Sequence, residues 1–97
     1  MNTKYGYEIS DLNFSTNINR LTNQLWKLIP MRENKENWEE HLETVIIEIA
    51  GLNEIFDHGN LLILLSKLEG LRAKEIGFEI YRKTVFESIS LLRGMRL

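Results

Sequence analysis

The chain has no cysteine in 97 residues, which excludes a disulfide framework, a thiolate zinc site and a cysteine nucleophile. It has no long hydrophobic run either. The longest, Leu61 to Leu65, is far too short to span a bilayer. Met1-Asn2-Thr3-Lys4 is not followed by an apolar segment of the secretory type, so a cytoplasmic location is the expectation. Neither sign of charge dominates. Twelve Lys and Arg stand against 14 Asp and Glu, for a net charge of −2, which gives no electrostatic reason to expect nucleic acid as the main partner. The serines sit in no nucleophile elbow, and no glycine-rich stretch follows a strand to cradle phosphate.

What is present is helical periodicity. Over residues 35–57 the apolar positions Trp38, Leu42, Val45, Ile49, Leu52 and Phe56 step by four and three in turn, the spacing of one helical face. On a wheel they fall within roughly 80°, a core-facing stripe, and the acids Glu36, Glu40, Glu43 and Glu54 gather on the opposite side around Ile47. A helix over 35–57, capped by Asn34, is predicted as the longest rod of the fold.

Three more helices are predicted around it. The first runs over about 15–29, capped by Ser15 or Thr16, with Phe14, Ile18, Leu21, Leu25 and Leu28 facing the core and Trp26 at the edge of the stripe. Pro30 is expected to stop it, because proline lacks an amide proton and biases Ile29 away from helical angles. Asp57-His58-Gly59-Asn60 reads as the break before a helix over about 61–74, with Gly59 left-handed and Asn60 as cap. Gly70 and Gly77 flank a weakly patterned stretch. The last helix covers about 78–93, with Phe78, Tyr81, Val85, Ile89 and Leu92 inward and Ile80 and Leu91 widening the apolar face. Residues 1–13, alternating at Tyr5, Tyr7 and Ile9, suit an extended arm that lies across the helices or pairs with a second copy. The fold expected is all-α: a single domain over 1–97, a four-helix antiparallel bundle with a short extended N-terminal arm.

The acids offer one enzyme-like pattern. Glu36-x-x-Glu39 and, after fourteen residues, Glu54-x-x-Asp57 resemble the ExxE…ExxD signature of the all-α nucleotide pyrophosphohydrolases. That resemblance implies a Mg²⁺-dependent enzyme whose carboxylates hold the metal against a triphosphate. In that family the pairs lie on different helices and converge. Here both fall on one predicted helix and point away from its core stripe, the pattern of a solvated acidic face. His41 has no second ligand at i+3 or i+4, and His58 sits in a turn as a capping or surface residue. No catalytic, cofactor or metal residue is therefore assigned. Arg72, Lys74, Arg82, Lys83, Arg93 and Arg96 crowd the last third, the basis of an alternative reading as a nucleic-acid-associated helical subunit. Arg82 and Lys83 are, however, interleaved with Glu79 and Glu87 at salt-bridging helical spacings.

Surplus apolar surface is the stronger functional clue. LLILLSKL is apolar nearly all round, and Trp26 and Ile47 lie off their helices' core stripes. A protein-protein interaction module follows, acting as a homo-oligomer or as a subunit or modulator of a larger complex. The partner-binding residues expected are Trp26, Ile47, Leu62, Ile63, Ile80 and Leu91, and no cofactor or membrane is expected.

Overall fold

A computed structural model describes residues 3–56, 58–73 and 75–95. They form four helices: α1 Asp11–Glu33, α2 Trp38–Ile55, α3 Gly59–Gly70 and α4 Phe78–Arg93. Each helix packs on its chain neighbours and α1 closes the ring against α4, while the diagonal pairs stay apart among the described residues. Cross-helix contacts run in opposite order along each seam, Arg20 to Glu48 and Phe14 to Phe56 between α1 and α2, Tyr81 to Leu28 between α4 and α1. This is an antiparallel four-helix bundle of 42 × 20 × 20 Å.

The expected core stripes form the interior, except that Leu52 and Phe78, expected to face inward, lie near helix ends and are only half-buried. Phe14, Ile18, Leu21, Leu25 and Leu28 of α1 meet Trp38, Leu42, Val45, Ile49 and Phe56, with Leu61, Leu64, Leu68, Tyr81, Val85, Ile89 and Leu92 completing the centre. Ile46, Leu71 and Met95 are buried as well, two of them in or beyond helix termini where periodicity carries no signal. The buried hydroxyls of Thr22 and Ser88 donate to the carbonyls of Ile18 and Thr84, one turn back.

Helix boundaries depart from the sequence expectation at the caps. Ser10, not Ser15 or Thr16, caps α1: its hydroxyl accepts from the Asn13 amide at 3.1 Å, with Asp11 in the positive first turn. Pro30 does not stop the helix. It sits on the exposed side one turn from the end, so only one amide donor is lost, and α1 continues to Glu33 as the longest rod at 23 residues. Beyond it Lys35, at φ 59°, takes the left-handed position, and the amides of Lys35 and Glu36 donate back to Arg32 and Met31 at 3.1 and 2.8 Å. That paired closure is a Schellman motif with lysine where glycine is usual. Asn34 consequently closes α1, and Asn37 caps α2 by accepting from the Glu40 amide. At the third helix the His58 ring accepts from the Asn60 amide at 3.1 Å, so His58 is the cap and Gly59 is the first helical residue. The helix ends at Gly70 rather than near 74; Asp57 and Lys74 lie outside the described residues.

The N-terminal arm lies across the end of α2. Within it Gly6, at φ 82°, turns the chain so that the Thr3 amide donates to Tyr7 at 2.8 Å. The Lys4 amide donates to the Ile55 carbonyl at 2.7 Å and its ammonium to the Asn53 carbonyl at 2.8 Å. The last turn of α2 has no basic residue of its own, so the arm supplies the cation that the helix dipole favours there.

Candidate functional site

The seams between helices are closed at their outer edges in two ways. Arg20 pairs with Glu48 at 2.7 Å across α1 and α2, and Lys67 pairs with Glu87 at 2.9 Å across α3 and α4. Arg72, just past α3, grips both oxygens of Glu43 and also reaches Glu69. The α1/α4 seam is closed instead by Trp26 and Phe86, edge to face with ring centroids 5.1 Å apart. Arg82, one turn before Phe86, lays its guanidinium 5.0 Å from that ring. Both aromatic side chains remain 36% exposed.

Beside this pair, an open groove of about 500 Å³ runs along the outer side of α4, lined by Glu79, Ile80, Arg82, Lys83, Phe86, Glu87 and Ser90. A second depression, lined by Asn60, Lys67, Glu87, Ser90 and Leu91, adjoins it on the α3 side. The two share Glu87 and Ser90, so the surface is continuous from Trp26 on α1, across α4, to α3. Lys67, followed by Lys83, holds the Glu87 carboxyl below its ordinary range, so the carboxylate is charged through the neutral range.

The residues singled out from sequence divide into those this surface gathers and those it does not. Ile47, Leu62, Ile63 and Ile80 are all exposed, between 50% and 69%. Trp26 and Ile80 flank the α4 groove, and half-buried Leu91 lines the adjoining depression. Ile63 lies between Asn60 and Lys67 on the flank of α3 that reaches α4. Leu62 is turned about 100° from Ile63, toward the α2 side. Ile47 stands alone on the outer side of α2, diagonally across the bundle from α4. In the sequence Phe86 does not stand out, and Arg82 reads as salt-bridged helix surface rather than as a neighbour of Phe86. The signal was a pair on different helices, Trp26 and Phe86, each just off its core stripe.

The acidic pattern does not converge. Glu36 lies before α2, Glu39 in its first turn and Glu54 in its last, about 22 Å along the rod by helical rise. Among the described residues no three His, Asp or Glu side chains gather within reach of one ion, and no helix is long and apolar enough to cross a membrane. The His41 ring nitrogen donates to the Gln24 carbonyl at 2.8 Å and so bridges α2 to α1. Arg72 is committed to carboxylates and Arg82 to Phe86, while Lys74 and Arg96 lie outside the described residues.

At the opposite end of the α1/α4 seam from Ser10, Arg32 lies against both Trp38 and Tyr81. Its guanidinium lies 5.4 Å and 4.4 Å from the two ring centroids, and the rings meet edge to face at 5.2 Å. One of its terminal nitrogens donates to the Ile76 carbonyl, tying the α3–α4 connection to α1. The other is buried without a hydrogen-bond partner among the described residues. Burial pushes the Tyr81 phenol well above its usual value, with the Arg32 charge opposing that shift.

No protein-family model matches this chain, and no curated protein or solved structure is significantly similar to it.

Proposed function

We propose that this chain is a helical protein-protein interaction module whose binding face runs from Trp26 over the outer side of α4 to Ile63 on α3. It acts as a homo-oligomer or as a subunit or modulator of a larger complex. The observation that carries this reading is the exposed Trp26–Phe86 pair beside Ile80 and a continuous groove, on a chain whose core is already filled by one stripe per helix. Aromatic anchors flanked by an arginine are the composition of binding hot spots, whereas scattered single apolar residues such as Ile47 are ordinary surface. Exposed apolar side chains of this size forgo roughly 1.5–3 kcal/mol each until something covers them.

The test compares the wild-type chain with Phe86→Glu and with Ile47→Glu, by solution mass and by capture of protein from the native host. Association or capture lost with Phe86→Glu and kept with Ile47→Glu supports the reading. A chain that neither associates with itself nor retains a partner, or one in which both variants behave as wild type, contradicts it.

A further inference from the structure

We propose that the occupant of this face is a second copy of the same chain, with α4 packed antiparallel on α4 about a twofold axis level with Val85–Phe86. The proposal rests on the protein-binding reading above and specifies its partner. A twofold contact uses one patch twice, so residues equal distances on either side of the axis face one another and residues on one flank meet the same flank of the other copy.

The exposed side of α4 satisfies that condition residue by residue. Ile80 faces Leu91 of the second copy, both on the α3 flank, and Phe86 faces its own symmetry mate beside the two Trp26 rings. Lys83 faces Glu87 and Glu79 faces Arg93, each pairing made twice, while Arg82 faces Ser90. Each of these pairs is equidistant from the axis to within one residue, about 1.5 Å of helical rise. No like charges oppose each other. Some other registers set like charges together: an axis level with residues 82–83 sets Arg82 against Lys83, and one level with Ser88 sets Lys83 against Arg93. The register level with Val85–Phe86 sets opposite charges together and also brings the apolar residues together. The side of the bundle that carries α4 is 42 Å long and 20 Å wide, room for the ~800 Å² per partner of a specific interface.

The test uses complementary charge reversals in the full chain. Lys83→Glu leaves two facing glutamates in its own dimer, and Glu87→Lys leaves two facing lysines and breaks the intrachain pair with Lys67, yet a mixed dimer of the two variants restores every attraction between the copies. Wild type should sediment at twice 11.4 kDa and each variant alone at 11.4 kDa, with the equimolar mixture returning to the dimer mass. Glu79→Arg mixed with Arg93→Glu obeys the same logic at the rim and serves if circular dichroism shows either first variant unfolded. A wild-type chain that stays monomeric to about 100 μM overturns the second copy as occupant and leaves the protein-binding reading to the host-capture result. Variants that dimerise alone, or a mixture that does not, overturn the register.

Discussion

Arg32 stands 4.4 Å over the ring of Tyr81, and this contact joins the end of α1, the start of α4 and, through the Ile76 carbonyl, the connection before α4. The guanidinium also lies 5.4 Å from Trp38 at the start of α2. One side chain thus binds three helices at one end of the bundle, on the single turn of α1 that continues past Pro30. Arg32→Ala should lower unfolding free energy by about 2 kcal/mol through loss of the cation–π contacts and of the packed aliphatic stem. Arg32→Lys should recover only part of this, because an ammonium lacks the flat face that a guanidinium lays over the Tyr81 ring. A denaturant midpoint unchanged in the alanine variant would show that the stack is not a stabilising contact.

Trp38 packs on Tyr81 at 5.2 Å and lies at the head of the α2 core stripe. Trp38→Ala should cost about 3–5 kcal/mol, a large part of a typical domain stability. Urea denaturation followed by circular dichroism measures it, and a loss below 1 kcal/mol would contradict the packing described.

Tyr81 gives the bundle an alkaline limit. Its phenol is held protonated in the folded chain because burial raises its pKa above the usual 10.0. The unfolded chain releases that proton first, so the stabilisation is complete below about pH 10 and is lost progressively as pH rises above it. Unfolding free energy measured between pH 9 and 11 should fall, and should fall less steeply in Tyr81→Phe. Equal slopes in the two proteins would contradict the assignment.

Pro30 lies inside α1 on its exposed side, where it removes one helical donor. Pro30→Ala should restore the bond to the Trp26 carbonyl and raise stability by about 1–2 kcal/mol, the helix-propensity gain less the added freedom of the unfolded chain. A lower melting temperature would instead mean that the proline sets a bend the bundle needs.

The core stripes of α1, α2 and α4 were legible in the sequence, because burying one face imposes a period that survives any detail of packing, whereas α3, apolar nearly all round, did not show that Leu61, Leu64 and Leu68 face inward. The ends were not. Ser10, Asn37 and His58 are each one of several capping residues within a few positions, and only the path of the neighbouring helix decides which is used. Pro30 misled for the same reason: the local cost of proline is real, but Arg32 and Met31 gain enough by packing against the other helices to carry α1 past it. The candidate face was half legible. Trp26, Ile80 and Leu91 stand out as off-stripe apolar residues, whereas Phe86 acquires meaning only once α1 lies beside α4.

The most direct measurement is the distance between spin labels on single cysteines, introduced at Ser90 or at Ile47 in a chain that has none of its own. The two Ser90 positions of the dimer are offset by about 14 Å along helices whose axes are about 8–10 Å apart, so a dominant distance under about 30 Å is expected. Ile47, on the helix diagonal to α4 in a bundle 20 Å across, should give distances beyond about 40 Å with both bundles between the labels. A short distance at Ile47, or no dipolar coupling at Ser90 in a sample that sediments as a dimer, would contradict α4 as the contact face.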